Sequence, residues 1–352
     1  MIGNQCFMTA QTPIQGIIFE NLTLTEKGSP YRFGKTTIAA GVTLTIEAGV
    51  TLSVDFKNSG TTHYDGYTLL VHGRILAHGT AEKPIQIHGA LRILRENSNI
   101  TPVPAIFEYC HLDAPKTYGY ILFSTIPIEM TNCTVEGIMY VQMGTNAGWN
   151  PEKTIFTRCK LSGNHALSLM HGAAVIEDCE IQGRCDAQVE SLYIFNSDFK
   201  PSLSKSSNCA LFLNAKRADV KQNTFEGING AAIWVYYQPF NVMTIVNNTF
   251  KNNQIHLQIA VKTDLTHQKD MSTWTKNTLW IEENRFLKFE QNTILVTDFD
   301  NSPDRVATST ELDVKNNFWG GLTPLQMDDS IQDYADFPNL RLKINYFPIA
   351  KR

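Results

Sequence analysis

The chain has 352 residues, of which 18% are charged, and a formal net charge of −4 at pH 7. A slightly negative chain without a basic cluster argues against nucleic-acid binding. The sequence has no run of about 18 apolar residues, so it predicts no membrane span. The charged fraction lies below the roughly 25% of typical globular domains, which fits a surface rich in Asn and Thr.

The first sixteen residues lack a basic region followed by an apolar core, so they predict no secretory signal. The seven cysteines are an odd number, and four of them recur at one repeated position, which favours reduced thiols. We therefore expect a virion or cytoplasmic location, or an extracellular one if the chain is a mature form. Residues 1–35 are predicted to be an N-terminal cap, 36–321 a repetitive body and 322–352 a closing segment.

A short pattern recurs at least nine times in the body: a small or amide residue, one residue of another kind, and a large apolar anchor. The spacing between anchors is 18 to 36 residues, which is typical of a solenoid. The anchors are Leu112, Val135, Leu161, Ile181, Phe199, Phe225, Phe250, Phe286 and either Phe318 or Trp319.

The repeat unit has the alternation of β-strands. Alternation predicts that Ala174, Ile176, Cys179 and Ile181 point inward. The step from Ile176 to Cys179 breaks this alternation, so we expect a bend between two short strands. Each repeat holds two or three strands and no helix, which predicts a parallel β-solenoid. Five glycines that follow an anchor by two residues are predicted to be turn residues with positive φ: Gly137, Gly163, Gly183, Gly227 and Gly321.

One position of the bend changes from cysteine to asparagine along the chain. Like residues at this position of stacked coils are expected to form a column in which amides bond to one another and cysteines pack as small apolar groups. A straight column does not supply a tetrahedral metal site, so the pattern favours a structural role. Its members are Cys110, Cys133, Cys159, Cys179, Ser197, Asn223, Asn248, Asn284 and Asn317.

Five segments near the two ends of the chain resemble those of a known group of proteins. They are SPYRFGKTTIAAGVTLTIEAGVTLSV (29–54) and LLVHGRILAHGTAEKPIQI (69–87), and near the end NNFWGG (316–321), IQDYADFPNL (331–340) and INYFPI (344–349). This sequence resembles bacterial right-handed parallel β-helix proteins of the pectin-lyase-like superfamily. The resemblance implies an all-β, single-stranded right-handed parallel β-helix of roughly 10–12 coils, capped at both ends. That group includes lyases, hydrolases, epimerases, adhesins and viral spikes, so the fold alone implies no activity.

Long turns after the second strand predict a binding edge, because insertions in a solenoid line one side. These turns are Gln142–Lys153, Tyr236–Val242, Val261–Asn277 and Thr297–Thr310. Aromatic side chains in such turns suit the stacking of a sugar ring. The candidate ligand-binding residues are Trp149, Tyr236, Tyr237 and Trp274, and the alternative is that these rings only pack the loops onto the body.

The segment LVTDFDNSPDR (295–305) holds the candidate catalytic residues Asp298, Asp300 and Asp304. Paired carboxylates serve glycoside hydrolysis, or hold calcium in a lyase. The same residue types, Asp and Asn beside Ser-Pro, are also typical of an ordinary Asx turn. Apart from that calcium ion, we predict no metal and no cofactor. Five histidines are predicted to be surface residues unless a carboxylate lies beside them: His72, His78, His88, His165 and His171.

Two functions remain open on the sequence. The first is a non-enzymatic surface or phage virion protein, similar to a tail spike or fibre, whose loop-rich edge binds a polysaccharide, a cell-surface glycan or a protein. The alternative is a polysaccharide-degrading lyase or glycoside hydrolase that uses residues 298–304. Three catalytic motifs of this superfamily are absent from the sequence: the Asn-Thr-Asp of polygalacturonases, the Arg-x-Pro-x-x-Arg of pectate lyases and the Asp-Pro-His-Asp of alginate epimerases. Their absence favours the first function. Homotrimers and assembly into a virion are compatible with both.

Overall fold

The structure is a computed structural model. It describes residues 11–55, 69–95, 103–113, 120–143, 153–202, 208–238, 241–261, 278–298, 310–333, 335–336 and 342–350. The chain divides into two compact units, Met1–Gly144 and Thr145–Arg352. The regular structure of each unit is almost entirely β-strand.

The first unit contains fifteen strands among its described residues, and a 3-10 turn at Glu26–Gly28. The strands are β1 (Thr12–Ile18), β2 (Leu22–Leu24), β3 (Tyr31–Ile38), β4 (Thr43–Glu47), β5 (Thr51–Val54), β6 (Leu69–Val71), β7 (Arg74–His78), β8 (Ile85–His88), β9 (Leu91–Ile93), β10 (Ala105–Glu108), β11 (Cys110–Asp113), β12 (Tyr120–Ser124), β13 (Ile128–Thr131), β14 (Thr134–Glu136) and β15 (Ile138–Gln142).

The second unit continues with longer strands and one short helix, α1 (Pro324–Asp329). The strands are β16 (Lys153–Thr157), β17 (Lys160–Met170), β18 (Ala173–Glu177), β19 (Glu180–Phe195), β20 (Asp198–Lys200), β21 (Cys209–Lys221), β22 (Thr224–Glu226), β23 (Ala231–Tyr237), β24 (Val242–Val246), β25 (Thr249–Lys251), β26 (Asn253–Val261), β27 (Leu279–Glu282), β28 (Arg285–Phe286), β29 (Phe289–Asp298), β30 (Thr310–Asp313), β31 (Ile331–Gln332) and β32 (Leu342–Asn345).

Within each unit, a coil passes through three faces in turn. In the first unit, face 1 holds β2, β4, β7, β10 and β13. Face 2 holds the start of β3 with β5, β8, β11 and β14. Face 3 holds the end of β3 with β6, β9, β12 and β15. Neighbouring strands on a face pair in parallel. Because each strand pairs with the equivalent strand of the next coil, this is the predicted parallel solenoid.

The second unit repeats this arrangement. Face 1 holds β16, β18, β24, β27 and the ends of β19 and β21, and face 2 holds β20, β22, β25, β28 and the starts of β17 and β19. Face 3 holds the end of β17, the middle of β19, the start of β21, and then β23, β26, β29 and β31. The prediction of an all-β fold of parallel coils is confirmed. The domain boundaries at residues 35 and 322 stay predictions.

The interior of the second unit contains a stack of aromatic anchors on face 2. The ring centroids of Phe199, Phe225, Phe250 and Phe286 follow one another at 4.5, 5.1 and 5.3 Å. Trp319 continues the stack at 5.0 Å from Phe286 and is buried, which identifies it as the last anchor. The first two ring pairs are stacked and the last two are tilted, and contacts of this kind add to the free energy of burial.

The predicted bend between faces 1 and 2 is present. Asp178, between the inward residues Ile176 and Cys179, has a φ of 54°, in the left-handed region that turns the chain through the corner. The equivalent residues of five later coils have φ values between 46° and 58°: Asn196, Gln222, Asn247, Glu283 and Asn316. Positive φ was also predicted for five glycines, and it was wrong for Gly163, which lies within the extended strand β17.

The column at this corner is held by hydrogen bonds. The Oδ1 atom of Asn284 accepts from the backbone N–H of Asn248 at 2.9 Å, and Asn317 does the same for Asn284 at 2.8 Å. In the cysteine part of the column the thiol takes this place, since the Cys179 sulfur lies 3.4 Å from the backbone nitrogen of Cys159. All six cysteines among the described residues are free and buried. The structural interpretation of the column is confirmed.

Among the described residues, no helix has the length and apolar character needed to cross a membrane.

Candidate functional site

The residues that the sequence predicted for binding and catalysis fall into two groups. Trp149, Trp274, Asp300 and Asp304 lie outside the described residues, and Asp298 is described only as the last residue of β29. Their predicted roles stay predictions, as does the calcium ion. In the described part of the chain, no three His, Cys, Asp or Glu side chains are placed to hold a metal ion.

Tyr236 and Tyr237 lie at the end of β23 on face 3 rather than in a loop. The Tyr237 side chain is only 1% exposed and its hydroxyl bonds to Thr278, so its ring belongs to the core. The Tyr236 ring points outward and is 9% exposed, 6.4 Å from the ring of Phe212. Of the two tyrosines, Tyr236 is therefore the one on the outer surface of face 3.

A cleft of about 480 Å³ opens at the turn that follows face 3, next to Tyr236. This is the turn at which the sequence predicted a binding edge. Four successive coils supply the lining, which consists of Met170, His171, Gln188, Val189, Glu190, Asn214, Lys216, Gln238 and Asn241. We call this feature the cleft.

A row of amides runs along the cleft. Gln188 on β19 lies opposite Asn214 on β21, and the Gln238 amide nitrogen lies 3.4 Å from the Oδ1 atom of Asn214. Asn241 follows in the same turn, where its backbone N–H donates to the carbonyl of Gln238 at 3.2 Å. Each amide offers both donors and an acceptor. The row therefore presents alternating polar groups to anything that lies along the cleft.

The charges of the cleft compensate each other. Glu190 and Lys216 form an ion pair with 2.7 Å between the carboxylate oxygen and the ammonium nitrogen, and both side chains are more than half exposed. His171, with a φ of 62°, turns the chain at the rim, and its backbone N–H donates to the carbonyl of Gln188 at 2.7 Å. The cleft is thus polar without a strong net charge.

An aromatic cluster adjoins the amide row on the outer surface of face 3. Phe212 and Trp234 pair across β21 and β23, with ring centroids 5.5 Å apart in an edge-to-face arrangement. Phe212 precedes Asn214 by two residues, so both side chains project from the same side of the strand. Within the described residues, the buried indole nitrogen of Trp234 has no hydrogen-bond partner. Aromatic rings and amides therefore share one surface.

A charged cluster lies beside the aromatic one. The Asp186 carboxylate takes an ion pair from Arg184 at 2.6 Å and from His165 Nδ1 at 3.1 Å, and Arg184 in turn covers the Phe212 ring at 5.5 Å. Burial acts to raise the pKa of Asp186, but the hydrogen bonds from His165 and Arg184 outweigh it and hold that pKa below its usual range. Asp186 is therefore an organised, ionised carboxylate.

The amide row and the Asp186 cluster were missed by the sequence analysis. The available signal was weak: Asp186 and Gln188 alternate on one strand, and Phe212 and Asn214 do so on the next coil. A residue-by-residue alignment of the coils would have placed them side by side on face 3.

Comparison with known proteins concerns the fold. The sequence profile described as "Right handed beta helix region" matches residues 89–318, which include the corner column, the cleft and every aromatic anchor except Trp319. A search of curated proteins finds no match to the chain, and neither does a search of solved structures.

Proposed function

The chain belongs to the right-handed β-helix family, and we propose that it is a glycan-binding protein that holds a neutral polysaccharide in the cleft. The observation that carries this proposal is the amide row formed by Gln188, Asn214, Gln238 and Asn241. Sugar hydroxyls both donate and accept hydrogen bonds, and amide groups match them with the same capacity.

The direction of the cleft favours a polymer over a single sugar. Its lining comes from four successive coils, and parallel coils stack at about 4.8 Å. A sugar unit in an extended polysaccharide advances by a similar distance. A chain lying along the stacking direction would therefore meet an amide on each of three successive coils, those of Gln188, Asn214 and Gln238.

The charges favour a neutral polymer. The carboxylate of Glu190 is paired with Lys216, and that of Asp186 with Arg184 and His165. An anionic polymer would have to compete with these internal pairs, whereas a neutral one leaves them intact. Phe212 and Trp234, both partly exposed, add apolar surface beside the amides, which suits the faces of sugar rings.

This proposal retains the first function that the sequence predicts, a surface or virion protein with a glycan-binding edge. It assigns that binding edge to the residues that line the cleft. The predicted depolymerase at Asp298, Asp300 and Asp304 involves side chains outside the described residues. Homotrimers and assembly into a virion remain predictions.

The test is binding to a panel of neutral and acidic polysaccharides, measured by affinity electrophoresis. The double variant Gln188→Ala/Asn214→Ala is expected to weaken binding to the preferred neutral polymer at least tenfold, which corresponds to about 1.4 kcal/mol. The matched control is Gln86→Ala/Gln182→Ala, which removes two outward amides from face 2. Equal affinity of the two double variants and the wild type would rule out the cleft as the binding site.

A further inference from the structure

His165 differs from the other paired histidines in the burial of its partner. His78 contacts Glu108 at 2.7 Å and His88 contacts Asp113 at 2.9 Å, and in both pairs the carboxylate is at least one third exposed. The partner of His165, Asp186, has a side chain that is only 12% exposed and has Arg184 as a second partner. A buried, doubly held carboxylate is costly to maintain on a structural surface, and such groups concentrate at functional sites.

The hydrogen bonds set the tautomer of His165. The ionised carboxylate of Asp186 is an acceptor only, so the Nδ1 atom of His165 carries the proton that it donates. In the neutral ring the proton-free nitrogen is then Nε2, and the His165 side chain is 48% exposed. A carboxylate that orients an imidazole through Nδ1 and leaves Nε2 free gives the arrangement of a positioned general base.

The position of this cluster relates it to the cleft. Asp186, Gln188 and Glu190 alternate along β19, so their side chains project from one side of the strand. Gln188 and Glu190 line the cleft, and Asp186 lies two residues before Gln188. His165 pairs with Arg184 where β19 enters face 3, so it lies across that face from the cleft, with Asp186 between it and Gln188.

We propose that His165 is the general base of an ester-hydrolysing site that removes O-acyl groups projecting over face 3 from the glycan bound in the cleft. This inference rests on the proposed glycan-binding function. A neutral imidazole is suited to activating water against an acyl carbon. Glycosidic cleavage instead uses two carboxyl groups, and among the described residues that line the cleft Glu190 is the one carboxylate.

The reaction consumes one water molecule for each ester. His165 Nε2 takes a proton from the water as its oxygen attacks the acyl carbon, and a tetrahedral intermediate forms. The bond from the acyl carbon to the sugar oxygen then breaks, and the Nε2 proton passes to that oxygen to restore the sugar hydroxyl. The products are the free hydroxyl and the carboxylic acid. Asp186 and Arg184 act as positioning residues: Asp186 holds the ring and stabilises the imidazolium formed in the first step, and Arg184 holds the Asp186 carboxylate in place.

The experiment uses the full chain with two probes, 4-nitrophenyl acetate and an O-acetylated form of a neutral polysaccharide that the protein binds. The wild type is expected to release acetate from both, and His165→Gln to lower kcat/KM at least 100-fold while keeping its affinity for the polysaccharide. His78→Gln, which removes the exposed histidine of the His78–Glu108 pair, is the matched control and is expected to leave the rate unchanged. Added imidazole is expected to restore turnover to His165→Gly, an effect that a purely structural histidine would not produce.

The outcomes separate the two proposals. Equal rates for His165→Gln and the wild type would overturn the assignment of His165, and so would the absence of acetate release from a polysaccharide that the wild type binds. Neither result affects glycan binding. Hydrolysis of 4-nitrophenyl acetate that depends on His165, without binding to any polysaccharide, would support the ester site and remove the proposed binding function.

Discussion

Asn248 accepts two hydrogen bonds from Asn223 at its Oδ1 atom, one from the backbone N–H at 2.9 Å and one from Nδ2 at 3.0 Å. Its own Nδ2 donates to the carbonyl of Val220 at 2.8 Å, and the side chain is fully buried. The same Nδ2 also donates to Oδ1 of Asn284 at 3.1 Å, so one amide satisfies four polar groups along the column. The free energy of unfolding should therefore be sensitive to this position.

Asn248→Ala is expected to lower the free energy of unfolding by about 3 kcal/mol, because buried donors and an acceptor lose their partner. Asn248→Cys is expected to lower the free energy of unfolding by about half as much, since the Cys179 sulfur already accepts the equivalent hydrogen bond from the backbone N–H of Cys159. Denaturant unfolding measures both. Equal losses in the two variants would show that the thiol does not replace the amide.

A second corner, between faces 2 and 3, depends on a glycine. A Cβ atom at Gly183 would overlap the carbonyl oxygen of Gly163 on the preceding coil, and φ is 127°. Gly183→Ala is expected to cost about 3 kcal/mol, from the clash together with backbone strain. Gly227→Ala is the control: its φ is 72°, but the nearest atoms to its Cβ lie 3.9 Å away, so a cost of about 1 kcal/mol is expected. Thermal unfolding that shows the same loss for both would contradict the close-approach explanation.

The corner column was predictable because each coil places the same kind of residue at the same point, so Asn223, Asn248 and Asn284 repeat at the bend. The cleft was not, because its amides lie at different distances from the anchors: Gln188 follows Ile181 by 7 residues, Asn214 follows Phe199 by 15 and Gln238 follows Phe225 by 13. The contact between His165 and Asp186 was still less accessible. It depends on irregularities in the pairing of β17 with β19, between Ser162 and His165 and between His165 and Leu167. Such shifts arise from packing of the coils and leave no periodic signal.

His256 should make stability dependent on pH. Its ring is buried between Phe250 and Phe286, and its Nε2 donates to the carbonyl of Leu287 at 2.8 Å. Burial lowers the pKa of His256 to about 4, although the bond to Leu287 acts to raise it. The unfolded chain binds a proton below its ordinary pKa of 6.5, while the folded chain stays neutral, so stability falls as the pH drops from 6.5 toward 4.

The total decrease in the free energy of unfolding that is attributable to His256 is about 3 kcal/mol. His256→Gln has no titrating ring, so its unfolding free energy is expected to change less over the same pH range, and the difference between the two curves measures the effect. If the free energies of unfolding of the variant and the wild type changed in parallel with pH, the buried histidine would not be the cause of the loss of stability at acid pH.

The compensated charges of the cleft predict how binding responds to salt. Salt screens exposed charges, so an anionic ligand held by Lys216 would lose affinity as ionic strength rises. A neutral polysaccharide held by Gln188 and Asn214 should instead keep its Kd within about twofold between low and high salt. Lys216→Gln removes the partner of Glu190, and it is expected to leave this salt independence in place because the polymer carries no charge. Isothermal titration calorimetry at several salt concentrations measures both. A tenfold loss of wild-type affinity at high salt would show that the ligand is charged and that the ion pair opens to receive it.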